Sequence, residues 1–191
     1  MMHRSNLASS DGIAGEAPAA RSVRLKDGRL AALRVACAGD APAVQRFVRG
    51  LSVSSRMNRF FSPIRELSPD LLDRITRSRL PGEFTLVGES LDGAESRIVA
   101  MAQYVVDEPL DAEFALVVDD DWQRQGLGNE LLGVLAEHAA RTGLATFTGL
   151  VLYDNWPMLA LLSRLHCEFA SAGDPRLIRV VKRFDAGALA V

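Results

Sequence analysis

Cysteine, histidine and long apolar runs are scarce in this 191-residue chain, and each scarcity removes a class of chemistry. The two cysteines, Cys37 and Cys167, stand far apart with no metal-ligand spacing. A reduced, cytoplasmic protein is therefore expected, with both thiols as small core residues. The three histidines, His3, His138 and His166, fall on a tail, a helix and a helix end, a scatter from which no metal site can be built. No stretch reaches the roughly 18 consecutive apolar residues of a membrane span, and the N-terminus lacks the apolar segment of a secretory signal. An excess of one charge is missing too. With 22 Lys and Arg against 24 Asp and Glu, the formal net charge is -2, which gives no electrostatic case for nucleic acid as a partner. Arginines recur from Arg49 to Arg79, but Glu66, Asp70 and Asp73 interrupt them, as on a solvated helical face.

What is present has the length of one domain with a sizeable core. Residues 1–22, with Ser9-Ser10-Asp11-Gly12 and Gly15-Glu16-Ala17-Pro18, lack hydrophobic periodicity and read as a disordered tail before a single domain, 23–191. Leu30 to Ala36 alternates as a first strand. Asp40 then caps a helix that opens on Pro42 and runs to about Leu51. Ser68-Pro69-Asp70 starts a second helix, reaching about Arg79 before Pro81-Gly82 breaks it. Glu83 to Ser90, Arg97 to Asp107 and Ala112 to Val118 form a meander, its first turn at Asp92-Gly93. A helix with the buried stripe Leu127, Leu131, Leu135 and Ala139 stops at Gly143, with Arg141 in its last turn. A strand from Thr146 to Tyr153, a final helix, and a hairpin of Glu168 to Ala172 with Leu177 to Phe184 complete a mixed α/β (α+β) order. Internal repeats are absent.

The most informative stretch joins the strand ending at the acidic turn Asp119-Asp120-Asp121 to the helix beginning near Leu127. It runs Trp122-Gln123-Arg124-Gln125-Gly126-Leu127-Gly128-Asn129-Glu130. A strand, a glycine turn and a helix N-terminus leave backbone N–H groups unpaired where the helix dipole is positive, so an anionic oxygen needs no side-chain charge there. Gly126 supplies backbone angles other residues avoid, and Gly128 keeps a Cβ away from an approaching phosphate. The spacing is not the dinucleotide fingerprint, because Leu131 takes the place of its third glycine, nor a P-loop, because the Lys-Ser/Thr ending is missing. By spacing alone, the glycines could equally serve a tight helix opening.

Gln123-x-x-Gly126-x-Gly128 resembles the Q/R-x-x-G-x-G/A signature of the GNAT N-acetyltransferases. The likeness runs over nearly the whole chain after about residue 22, including a later Asn155-x-x-Met158. It implies the GNAT acyl-CoA N-acyltransferase fold: a mixed, mostly antiparallel central sheet flanked by about four helices. It implies acetyl-CoA as cosubstrate and no metal, with the backbone of Arg124, Gln125, Gly126, Leu127, Gly128 and Asn129 around the pyrophosphate. Gln123 belongs to the same signature, and Leu116, Val117 and Val118 would pair with the pantetheine arm. In the family, the strand carrying Glu113 splays from the one beginning near Thr146, and the acyl-pantetheine enters the gap.

The chemistry asks for a base. A lysine of reference pKa about 10.4 needs roughly 4 kcal/mol to reach its free amine near neutral pH. Glu113 is the candidate, the acid at the head of the apolar run Phe114 to Val118; the A-E-F-A run resembles the place where related protein acetyltransferases carry their glutamate. Burial beside the sheet would raise its pKa; the bland alternative is an edge glutamate facing solvent. Backbone N–H near Val117 or Val118 would polarise the carbonyl. Asn155 resembles the family's pantetheine-contacting asparagine and equally fits an N-cap before Trp156-Pro157. Leu162 stands where many relatives have a thiolate-protonating tyrosine, which leaves the general acid unassigned, and His166-Cys167 replaces the usual Gly-Phe.

Leu51-Ser52-x-x-Ser55-x-Met57-x-Arg59-Phe60-Phe61 resembles the L-S-x-x-S-x-Y-x-R-F-F stretch of bacterial Pat-type protein lysine acetyltransferases, with Met57 in place of tyrosine. In relatives this stretch lies on the acceptor side. As residues alone, it also fits a packing element in which Phe60 and Phe61 fill core and Arg59 caps a carbonyl. The resemblance implies acetyl transfer to a primary amine, foremost a protein lysine. A small-molecule amine acetyltransferase and a CoA-binding sensor are the alternatives.

Overall fold

The computed structural model describes residues 18–77, 82–92 and 96–184. Among the described residues, eight strands form one sheet in the order β1-β2-β3-β4-β5-β6-β8-β7. They are β1 (Arg21–Arg24), β2 (Leu30–Val35), β3 (Glu83–Ser90), β4 (Ile98–Glu108), β5 (Asp111–Val118), β6 (Thr146–Leu152), β7 (Glu168–Ser171) and β8 (Leu177–Arg183). Every neighbouring pair is antiparallel except β5 and β6. Five α-helices among the described residues flank the sheet: α1 (Ala41–Gly50), α2 (Val53–Phe60), α3 (Pro69–Thr76), α4 (Leu127–Arg141) and α5 (Trp156–Arg164).

The period-two alternation of the central strands sorts the core into two halves. Leu86, Ala102 and Leu116 face one way, against Leu127, Leu131 and Leu135 of α4 and Leu162 of α5. Their neighbours Val87, Met101 and Val117 face the other way, against Val44, Phe47 and Val48 of α1 and Ile75 of α3. The expected α4 stripe of Leu127, Leu131, Leu135 and Ala139 is buried throughout, and Gly143 at φ +86° stands just past the helix as its stop.

Two elements escaped the sequence reading. β1 (Arg-Ser-Val-Arg) carries one apolar residue, so period two had nothing to show; it starts inside the stretch assigned to the tail, the rest of which, residues 1–17, lies outside the described residues. α2 is short and polar, and its N-cap is Ser52, whose side chain accepts from the Ser55 N–H. Other expectations needed correction. Asp40 precedes α1, but its carboxylate does not cap the helix. It turns back to accept from Arg34 at 2.7 and 2.8 Å and from the Cys37 N–H at 2.8 Å, and these bonds, the Arg34 pair foremost, hold its carboxyl below the usual range against burial. α3 ends at Thr76; the residues from 78 to 81, where its stop was expected, and Gly93 of the meander turn lie outside the described residues. Cys37 is exposed, whereas Cys167 is buried as expected. The arginine-rich segment is not one solvated face either: Arg56 is buried and donates to the Leu51 carbonyl.

His166 adopts the left-handed conformation at φ 56°. Its N–H reaches the Ser163 carbonyl and the Cys167 N–H reaches the Leu162 carbonyl, each at 3.1 Å. This is the glycine-type helix ending built with a histidine, at a backbone cost of roughly 1 kcal/mol.

His138 of α4 is buried, stacked on Phe84 with centroids 3.7 Å apart and hydrogen-bonded through Nδ1 to the Tyr104 hydroxyl at 3.0 Å. Burial, helped by Arg141, pushes its pKa from 6.5 down to about 4. As pH falls, the unfolded chain therefore takes up this proton first. The contribution of His138 to stability should be flat above pH 7 and fall between pH 6.5 and about 4, by on the order of 2 kcal/mol. Thermal melts across that range should show the slope in the wild type and lose it in His138→Phe; an unchanged slope in the variant would contradict the assignment.

Candidate functional site

β5 and β6 are hydrogen-bonded only at their starts, through Asp111↔Thr146, Ala112↔Phe147 and Glu113↔Thr148. Beyond Glu113 the strands part, each still paired on its outer side: β5 to β4 as far as Val118↔Ala100, and β6 to β8 as far as Leu152↔Leu177. The cause is visible at the root. A Cβ on Gly149 would stand 3.1 Å from Cε1 of Phe114, so the ring lies directly against the glycine backbone. Phe114 fills the space that pairing would close, and Gly149, which the sequence reading did not single out, is the residue that lets it.

The gap opens into a cleft of about 590 Å³, lined by Leu116, Val117 and Val118 on β5, by Gln123, Arg124, Gly126, Gly128 and Asn129 of the glycine loop, and by Asn155, Met158 and Leu161 of α5. Nine of the residues expected to hold the cosubstrate thus share one concavity, whose lining leaves out Gln125 and Leu127. Arg124 at φ 61° and Gly126 at φ 100° turn the chain into α4. Among the described residues, the N–H groups of Arg124, Gln125, Gly126, Leu127 and Gly128 have no protein acceptor, whereas the Asn129 N–H donates to the Gly126 carbonyl at 3.0 Å. The amide cradle therefore ends at Gly128, one residue earlier than expected, because the first turn of the helix claims Asn129.

The loop is anchored from beneath. Gln123 Nε2 donates to the Val118 carbonyl at 3.0 Å and to Ser55 Oγ at 3.1 Å. Asp120 accepts from Ser52 N–H at 2.9 Å, Ser52 Oγ at 2.7 Å and Ser55 Oγ at 2.8 Å. Burial raises its carboxyl, but these bonds outweigh burial and hold it below the usual range. Thus the Leu-Ser-x-x-Ser half of this segment docks α2 onto the loop, and its later half, Arg59 to Phe61, lines a second, smaller cavity. Met57 lines neither cavity among the described residues.

A smaller cavity of about 250 Å³ adjoins the root of the gap, lined by Glu113, Asn58, Arg59, Phe60, Phe61 and Gly149, and it shares Asn58, Leu116, Asn155 and Met158 with the cleft. Glu113 is exposed, so the burial expected to tune it is missing. Its charged neighbour is Arg59, a half-buried guanidinium whose Nε has no partner among the described residues and whose Nη2 donates to the side-chain amide oxygen of Gln103 rather than to a backbone carbonyl. Burial pushes Arg59 down to about 10, with Glu113 pulling the other way, so it stays a cation at neutral pH. Phe60 packs against core, but Phe61, left-handed at φ 52°, is 42% exposed at the mouth. Asn155 accepts from the Met158 N–H at 3.3 Å as the N-cap of α5 and lines both cavities. Leu162 is fully buried, so its position contributes packing and no proton. Among the described residues, no group of three or more His, Cys, Asp or Glu side chains could hold a metal, and no helix is long and apolar enough to cross a membrane.

A substitution series reads the loop. A Cβ on Gly126 meets open space but must adopt φ +100°, and one on Gly128 meets only ordinary contacts at 3.4 to 3.7 Å. Gly126→Ala should lose about 1–2 kcal/mol in denaturant unfolding and Gly128→Ala less than about 1 kcal/mol; the reverse order would contradict this loop geometry.

The family model for the acetyltransferase (GNAT) family matches residues 53–166. The acetyltransferase Pat of Mycolicibacterium smegmatis is 31% identical over 147 residues, which cover 75% of this chain and 43% of that protein. The acetyltransferase PA5475 of Pseudomonas aeruginosa is 31% identical over 120 residues, covering 62% of this chain and 64% of that protein. The match thus spans only part of each relative. The crystal structure of the GNAT domain of S. lividans PAT superposes with a TM-score of 0.79 at 24% identity, covering 88% of this chain and 100% of that domain, a likeness of fold.

Proposed function

This chain belongs to the GNAT family, and we propose that it is an acetyltransferase, as the relatives it matches are named, moving acetyl from acetyl-CoA to a primary amine, with a protein lysine as acceptor. The observation that carries the reading is the parting of β5 and β6 beside five acceptor-free amides. The residues fit the cosubstrate: an open strand edge for the pantetheine amides, a cradle of N–H groups at a helix N-terminus for the diphosphate, and a cleft of about 590 Å³ joining them. When bound there, acetyl-CoA supplies an electrophilic thioester carbonyl.

The chain's own residues would do the rest. Glu113, at the root of the gap and open to the smaller cavity, takes the proton from the acceptor ammonium, directly or through one water. Arg59 provides the compensating cation, so the cavity lining carries one charge of each sign. The β5 backbone at Val117 and Val118 polarises the carbonyl, and Asn155 positions the arm. Tyr104 is tied up with His138 in the core and Tyr153 lines neither cavity, so the departing thiolate takes its proton from solvent. An exposed base and an exposed Phe61 at the mouth favour an acceptor presented on a protein surface over an enclosed small amine, and they support transfer in a ternary complex.

Glu113→Gln should lower kcat by roughly 100-fold or more with little change in CoA affinity. Mass spectrometry of cell extract incubated with acetyl-CoA should show new acetyl-lysines with the wild type and few with the variant. A variant within about twofold of an active wild type would remove Glu113 as the base; equal near-zero rates would point to a CoA-binding sensor instead.

A further inference from the structure

The cleft has a direction. Asn58, Leu116, Asn155 and Met158 line both cavities and mark its reactive end, beside Glu113. From Asn155 the helix α5 runs along the cleft, placing Pro157, Ala160, Leu161 and Arg164 on its lining. Leu161 Cδ2 lies 3.5 Å from where a Cβ on Gly128 would stand. Arg164, one turn beyond Leu161 and roughly 13 Å along the helix from Asn155, is therefore at the end away from the chemistry.

A second cation approaches the glycine loop from the turn between β1 and β2. Lys26, in the turn between β1 and β2, lines the cleft, and its N–H donates to the Gln125 carbonyl at 3.1 Å. That turn is locked in place: Arg29 bonds the Asp121 carbonyl at 2.8 Å and its guanidinium sits 4.0 Å from the centroid of the Trp122 ring. Lys26, Arg124 and Arg164 have no ion-pair partner among the described residues, although each lines the cleft. Of the two acids on the lining, Asp120 is occupied by Ser52 and Ser55, and Asp154 sits beside Asn155 at the reactive end. The far end is thus left with positive charge and free amides together.

We propose that Lys26 and Arg164 are side-chain ligands for the phosphates of the nucleotide end of the cosubstrate, flanking the amide cradle of Arg124 to Gly128. This rests on the acyl-CoA reading above and adds charge recognition to a site whose sequence called for backbone alone. A flexible lysine and arginine suit phosphate oxygens, and as exposed groups each contributes modestly and in a salt-dependent way.

Calorimetric titration of the full chain with CoA, 3′-dephospho-CoA and pantetheine tests it. Lys26→Met and Arg164→Met should each weaken CoA binding roughly three- to tenfold and reduce the preference for CoA over pantetheine by the same factor, while Lys26→Arg recovers most of the loss. A loss that persists with 3′-dephospho-CoA assigns the contact to the diphosphate, and one that vanishes assigns it to the 3′-phosphate; both support the proposal. Saturable wild-type binding that both variants reproduce, or a loss shared equally by pantetheine, would overturn it and leave the acyl-CoA reading standing. A wild type that binds no CoA would sink both.

Discussion

One break in hydrogen bonding organises the molecule. Seven strand pairings in this sheet could each run their full length, but the single parallel pair, β5 with β6, stops at Glu113↔Thr148. Backbone polar groups left unpaired inside a fold are costly unless something satisfies them. Here they border a cleft instead of core, which is where a ligand rich in amides and phosphates can supply the missing partners. The Phe114 ring against Gly149 holds the gap open, so the cavity is a property of the packed core and does not wait for a ligand to form it.

Around that break, surfaces of different origin are tied to one short loop. α2 reaches it through Ser52, Ser55, Asp120 and Gln123, and the β1–β2 turn through Lys26, Arg29 and Trp122. A loop carrying two left-handed residues, Arg124 and Gly126, needs such support to stay in one conformation. The arrangement separates duties along the site. Polar anchoring and positive charge gather at the loop, whereas the other end adjoins a small cavity with one glutamate, one arginine and aromatic walls.

Much of this was legible in residue order. The meander Glu83 to Val118 follows from alternation, and α4 from its leucine stripe and closing glycine. The glycine loop followed from Gln123-x-x-Gly126-x-Gly128, whose turn is as the spacing implies, although its free amides end at Gly128 and not at Asn129. Long, strongly periodic segments announce themselves because burial imposes the period. What stayed hidden has a common cause: it depends on partners distant in sequence. β1 has a single apolar residue and exists because β2 offers it an edge. α2 is too polar to show a stripe and is fixed by Asp120, 68 residues beyond Ser52. Asp40 carries the signature of a cap and spends it on Arg34. The exposure of Glu113, the enclosure of Arg56 and the role of Gly149 each follow from which face of which strand meets which helix, a fact no local pattern contains.

In the proposed function, the free amides of the loop and the open edge of β5 receive the cosubstrate. Amide hydrogen exchange, read residue by residue with and without saturating CoA, tests this most directly. The account predicts strong new protection at Arg124 to Gly128 and along Leu116 to Val118, with no comparable change at β1 or in the β7–β8 hairpin. Exchange at those loop amides that CoA leaves untouched would contradict it.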